Sequence, residues 1–262
     1  MTETTLTPPK TQSLKERANR LGLFGLLAHW QEVSEEPWAE AVIDYEEEER
    51  YRRSLERRIG NAKVGPFKPM ADFDWQWPKK IEREVIEDLF NFEFVGEAGN
   101  VILRGPNGVG KTMIAKNLAH QAVLKGYTAQ FITASELLND LVAQEAGSAL
   151  NRRLRHYLRP QVIVVDEIGY LSTSTRHADL LFEVVSRRYQ QQKSIVLTTN
   201  KSFREWNEVF PSAGCLVTLI DRLIHKAEIV EIEAESYRLK EALERSKAKA
   251  KERSVKRKGR KG

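Results

Sequence analysis

The sequence predicts an α/β protein: a five-stranded parallel sheet covered by helices and preceded by a small all-helical domain. Two observations lead there. From about Ile81 to Ala234, five short apolar runs (NVILR, TAQFIT, QVIVVD, SIVLTT and AEIVEI) alternate with helical patterns. That alternation marks parallel strands buried on both faces and joined through crossover helices. Residues 13 to 62, by contrast, carry helical periodicity and read as a unit of their own.

Taken in order, residues 1 to 12, MTETTLTPPKTQ, are expected to be flexible. Ser13 is placed to cap a first helix in which Leu14, Ala18 and Leu21 recur at helical spacing, and Gly22 and Gly25 in LGLFG mark a break or tight turn. A second helix takes Leu26, Leu27 and Trp30. A third begins near Pro37, with Trp38, Val42 and Tyr45 on one face and the charged surface EEEERYRRSLERR beyond. Together these predict a small bundle over residues 13 to 62. Residues 63 to 80, rich in proline, read as a linker whose Phe73, Trp75 and Trp77 either stack on nucleic acid or dock the linker onto the next domain, the commoner use of such aromatics. The sheet domain then spans residues 81 to 244.

The 262 residues, 41 % of them apolar, suffice for one α/β domain and a smaller appendage. No run approaches the ~20 apolar residues that a membrane span needs, and the start lacks the apolar core of a leader, so a cytoplasmic protein without a membrane partner is expected. The single cysteine, Cys215, excludes an internal disulfide or a cysteine-built zinc site and reads as a packed residue; the five histidines show no ligand spacing. Charge is unevenly spread. Residues 245 to 262 hold ten Lys or Arg against Glu252 alone, so a tail of +9 leaves residues 1 to 244 at −4 within the net +5. Such a tail is expected to be disordered, and Lys256, Arg257 and Lys258 serve either as an electrostatic arm for nucleic acid or as a solvated end.

The chemistry centres on GPNGVGKT, residues 105 to 112, between the first strand and the helical run MIAKNLAHQAVLKG. Glycines there let the backbone of Gly105, Pro106, Asn107, Gly108, Val109 and Gly110 wrap phosphate oxygens at a helix N-terminus, with Lys111 on the β and γ phosphates and the Thr112 hydroxyl on Mg²⁺. In QVIVVDEIGYL, Asp166 at a strand end would hold the same ion through water, and Glu167 beside it could take a proton from an attacking water. Asn200, closing SIVLTTN, either orients that water or sits in a turn. Arg222 and Arg238 either neutralise transition-state charge or form surface ion pairs. A metal-and-base pair of this kind points to hydrolysis; a small-molecule kinase would need a lid, for which only NRRLRHYLR is available.

GPNGVGKT, VIVVDE, LTTN, DRL and SYR in that order resemble the AAA+ ATPases, in the branch holding the initiator DnaA and the helicase loader DnaC. LKERANRLGLFGLLAHW, KPMADFDW, DEIGYL, FREWNEVF and LIDRLIHKAEIVEIEAESYRL give a closer resemblance, over residues 13 to about 240, to IstB-type helpers of insertion-sequence transposases. This resemblance implies ATP as ligand, Asn200 as sensor 1, Arg222 as an arginine finger reaching a neighbouring subunit and Arg238 as sensor 2. It further implies homo-oligomers on double-stranded DNA that engage the transposase of the same element through the N-terminal bundle. A DnaC-type helicase loader would share the motor and differ in partner. Pro106-Asn107 stands where many relatives carry two prolines, which leaves the backbone contacts intact. In NRRLRHYLR, where initiator-type relatives carry an inserted helix facing DNA, Arg152, Arg153, Arg155 and Arg159 line a DNA channel or form a solvated helix face.

Overall fold

A computed structural model of the chain describes residues 13–144, 147–169, 175–210 and 214–258, the side chains of 175 and 250–258 excepted. The chain divides into two compact units, one ending at Arg57 and the other beginning at Arg58, a division that falls inside a long helix.

In the first unit, α1 (Leu14–Arg20) starts on a reciprocal cap between Ser13 and Glu16. Two short helices follow, α2 (Phe24–Ala28) and α3 (Trp30–Val33), where the sequence reading has one, and then α4 (Pro37–Ala62). Ala18, Leu21 and Ile43 form the core, with Leu14, Leu23, Leu27 and Trp30 packed around it. Arg17 and Arg20 of α1 reach Glu47 of α4 at 2.7 and 2.6 Å, so a charged pair of helices closes over a very small core. Ala39 and Ile43 point inward, whereas Trp38, Val42 and Tyr45 face solvent, Tyr45 with 70 % of its surface exposed. Helical spacing identifies which residues share a face but not which face is covered.

The second unit carries α5 (Arg83–Leu89), α6 (Glu93–Gly96), β1 (Asn100–Arg104), α7 (Lys111–Leu124), β2 (Ala129–Thr133), α8 (Ala134–Val142), α9 (Ser148–Leu158), β3 (Val162–Ile168), α10 (Thr175–Gln190), β4 (Ser194–Thr199), α11 (Trp206–Val209), α12 (Leu216–Ile224), β5 (Ala227–Glu231) and α13 (Tyr237–Lys258). The expected five-stranded sheet is present, in the order β2-β3-β4-β1-β5 with every pair parallel. β1, β3 and β4 are buried almost without interruption, which is why they read as continuous apolar runs; β5, at the edge, is largely exposed. Because β4 lies between β1 and β3, three segments far apart in sequence end side by side at the carboxyl edge of the sheet, where ligands bind in open α/β folds.

Two segments outside the strands settle against this sheet unit. The linker docks: Met70 N donates to Asn117 Oδ1 (3.1 Å), Asn117 Nδ2 donates to the Lys68 carbonyl (2.9 Å), and Lys79 N donates to the Glu233 carbonyl (2.8 Å). Helix α13 continues to Lys258, past Arg245, where the sequence reading has a disordered tail begin. The stretch is made of Lys, Ala, Glu and Arg, all strong helix formers, and a helix already nucleated extends without needing a buried face. Among the described residues no helix is long and apolar enough to cross a membrane.

Arg188 on α10 is fully buried and acts as a staple. Its Nη1 donates to the carbonyls of Tyr157 and Pro160, both at 3.0 Å, and its Nη2 to those of Gln161 (3.0 Å) and Ser194 (2.7 Å). One guanidinium thereby fixes the end of α9, the entry to β3 and the start of β4. An Arg188→Met variant, similar in length but without donors, leaves those carbonyls unsatisfied and should lose roughly 3 to 5 kcal/mol of stability in urea unfolding.

Candidate functional site

The loop after β1 is shaped by its glycines. Gly108 (φ +77°) and Gly110 (φ +102°) occupy the left-handed region, and a Cβ on Gly110 would lie 2.5 Å from the Phe73 ring of the linker. The loop thus takes a conformation and a closeness to the linker that a side chain at Gly110 would prevent. Lys111 Nζ donates to the carbonyls of Gly105 and Pro106, both at 2.7 Å. Burial pushes its pKa down to about 8, against the opposing pull of Asp166 and Glu167, with Arg238 adding a further lowering. A buried ammonium whose hydrogen bonds go to carbonyls is poised for anionic oxygens.

Asp166, at the end of β3, is buried; its Oδ1 accepts from Thr112 Oγ1 (3.1 Å) and Thr198 Oγ1 (2.5 Å). Glu167 follows with φ +64°, at a register shift in the β3–β4 ladder, and is the one exposed residue of β3. Thr112 and Asp166 offer hard oxygen ligands side by side, and a buried carboxylate satisfied by neutral hydroxyls fits a divalent cation such as Mg²⁺.

Lys111, Thr112, Glu167, Thr198 and Arg238 line one cavity of about 390 Å³ with Gly108, Val109 and Gly110. Its far wall is built by Phe73, Asp74 and Trp77 of the linker and Tyr237 of α13. Trp77 Nε1 donates to the Glu235 carbonyl (2.9 Å), Lys240 pairs with Asp74 (3.1 Å), and Tyr237 N donates to the Gly108 carbonyl (3.0 Å). Asn200 lies across the loop, lining a neighbouring cavity with Gly105, Pro106 and Asn107; its Oδ1 is buried without a hydrogen-bond partner.

Arg222 stands apart from this group. It lies on α12, bonded to Ser186 Oγ with its guanidinium 5.0 Å from the Phe182 ring centroid. Neighbouring carbonyls of α12 accept from Asn100 at the start of β1, whereas the phosphate-type loop follows the end of that strand, roughly 13 Å away at ~3.3 Å per residue. On α9, Arg152, Arg155 and Arg159 are exposed, while Arg153 pairs with Asp140 and stacks on Tyr157. The side chains of Lys256, Arg257 and Lys258, and the residues Tyr170 and Leu171 of the acidic motif, lie outside the described residues. Burial, and then the Asp179 carboxylate, push the Cys215 thiol above its ordinary range, the reverse of what a nucleophile needs.

Sequence reasoning missed Thr198, and it expected Phe73 and Trp77 to dock the linker on the next domain without placing them at this cavity. A polar residue inside an otherwise apolar strand was the available signal for the first; nothing in the periodicity marks the position of the second.

A glycine loop capping a helix, an acidic strand end beside it and an Asn-bearing neighbour strand in the order β2-β3-β4-β1-β5 define a P-loop nucleotide-binding protein of the AAA+ class. Within that class the chain belongs to the family of IstB-like ATP binding proteins, which matches residues 11–246. A relative from Pseudomonas aeruginosa, named for insertion sequence IS21 and ATP binding, is 37 % identical over 192 residues, covering 73 % of this chain and 72 % of its own. One from Geobacillus stearothermophilus, named for insertion sequence IS5376 and ATP binding, is 34 % identical over 200 residues, covering 76 % and 79 %. Among solved structures, AMPPCP-bound DnaA from Aquifex aeolicus superposes with a TM-score of 0.55 at 20 % identity, covering 71 % of this chain and 56 % of that one.

The Lys111 ammonium sets a pH dependence. As pH rises through about 8 the free protein loses this charge, so affinity for ATP should be nearly flat below pH 8 and fall above it, by up to ~10-fold per pH unit for one linked proton. Calorimetric titration between pH 7 and 9.5 measures this, and Lys111→Arg should abolish the fall.

Proposed function

We propose that this protein is a Mg²⁺-dependent ATPase that assembles on double-stranded DNA and serves the transposase of its own insertion sequence. The convergence of Lys111, Thr112 and Glu167 at one cavity, with the buried Asp166 bonded to Thr112, is the observation that carries the ATPase reading. The loop amides and Lys111 bind the phosphates, Thr112 and Asp166 hold the cation, and Glu167 accepts the proton of the attacking water. Mg²⁺, when bound, supplies charge neutralisation at the phosphate oxygens. Asn200, with its unpartnered buried oxygen, is suited to orient that water, and Arg238, within electrostatic reach of Lys111, to sense the bound nucleotide.

Both relatives named above carry insertion-sequence names, which favours a transposition role over helicase loading. For the partner surface, the solvent-facing Trp38, Val42 and Tyr45 of α4, with Phe24 nearby in sequence and 72 % exposed, give the first unit aromatic anchors of the kind that dominate protein interfaces. For DNA, Arg152, Arg155 and Arg159 present cations from α9, and residues 245–262 add ten more. Arg222, remote from its own loop, acts in this reading on the nucleotide of a neighbouring subunit in a homo-oligomer, so that hydrolysis depends on assembly.

Glu167→Gln should still bind ATP but turn it over ~10²-fold more slowly or worse, with DNA-bound assemblies that outlast those of the wild type. Phosphate release and filter-binding lifetimes report the two effects.

Lys111→Ala and Arg222→Ala should each be poor ATPases alone. Mixed on DNA at fixed total protein, they should regain activity with a maximum near equal parts, since a Lys111→Ala subunit still offers its arginine to a neighbour that binds ATP. Mixtures that co-assemble yet stay at the level of the single variants would return Arg222 to a structural role beside Phe182.

A further inference from the structure

The β3–β4 ladder is regular up to Val165 opposite Leu197 and resumes at Ile168 opposite Thr199. Three steps along β3 therefore face two along β4, a bulge that holds Asp166 and Glu167. Thr198 lies against it, fully buried. Its hydroxyl has one proton and two lone pairs, and the proton is committed to Asp166 Oδ1 (2.5 Å) while one lone pair accepts the Glu167 amide (2.8 Å). Glu167 needs such an anchor, because a non-glycine residue at φ +64° is held only when its surroundings impose it. That left-handed turn is also what makes Glu167 the one β3 residue exposed, on the wall of the cavity beside Lys111 and Thr112.

From this arrangement we propose that Thr198 is a positioning residue for hydrolysis: one hydroxyl orients the carboxylate that holds the cation and pins the backbone that presents the base. The inference rests on the ATPase reading above. It makes the two acidic residues a coupled pair, because the proton given to Asp166 polarises the same oxygen toward the Glu167 amide. Thr198 makes no contact of its own with the reaction; its effect passes through its two neighbours.

Two variants and two readouts test it. Thr198→Val keeps shape and β-branching and removes the hydroxyl, while Thr198→Ser keeps the hydroxyl and drops the methyl. With Thr198→Val, kcat should fall roughly 10- to 100-fold and the Mg²⁺ concentration that half-maximally enhances ATP binding should rise about 10-fold, the range seen when outer partners of metal-holding groups are removed. ATP binding without Mg²⁺ should stay within about 2-fold, since the loop and Lys111 are untouched. Thr198→Ser should stay within about 3-fold of wild type in every readout. The assignment is overturned if Thr198→Val matches wild type in kcat and Mg²⁺ midpoint. It is equally overturned if Thr198→Ser is as impaired as Thr198→Val, or if the loss of kcat only tracks a loss of folded protein in thermal melts. A wild-type protein that binds Mg²⁺–ATP without releasing phosphate would overturn the hydrolysis reading; the Mg²⁺ midpoint then still decides whether Thr198 orients Asp166. Failure to bind nucleotide at all would overturn both.

Discussion

Burying a carboxylate without neutralising it costs several kcal/mol, and Asp166 is the place in this fold where that cost is met by geometry. Its oxygen takes hydroxyls from the first turn of α7 and from β4, so three segments must end at the same height before the charge is tolerable. The strand order supplies that condition by setting β4 between β1 and β3. Arg188, buried near the opposite ends of β3 and β4, ties their entry points together and so fixes where the acidic end of β3 emerges. Site and core are in this sense one mechanical object.

Much of this was legible in the chain. Strands buried on both faces announce themselves as apolar runs, and all five were found with ends within a residue or two of those observed. The glycine loop and the Asp166–Glu167 pair were equally plain, because phosphate cradles and metal sites constrain residue type at fixed spacing. Thr198 escaped notice since a hydroxyl in a strand gains its meaning from a neighbour 32 positions away, as the Thr198–Asp166 bond shows. Trp38, Val42 and Tyr45 share one face of α4 as their spacing predicts, but that this face is the exposed one is not legible there, as periodicity carries no sign. The extent of α13 was missed for a different reason: net charge argues for solvation, which a solitary helix satisfies as well as a coil does.

Arg222 illustrates a third kind of limit. Its two readings in the sequence, a surface ion-pair partner or an arginine finger reaching a neighbouring subunit, differ in whether its role is settled within one chain. The fold puts it beside Phe182 and Ser186, at the end of the sheet away from the glycine loop, where a single subunit gives it only a packing role.

The wall of Phe73, Asp74 and Trp77 facing Tyr237 and Lys240 has one more consequence. The segment that precedes the first strand and the helix that follows the last one are clasped to each other above the glycine loop, and Tyr237 holds that loop by its own backbone. A hydrogen-bonded path that begins in the linker thus reaches Gly108 through Tyr237, so the shape of the glycine loop depends on two segments from opposite ends of the sheet domain's sequence.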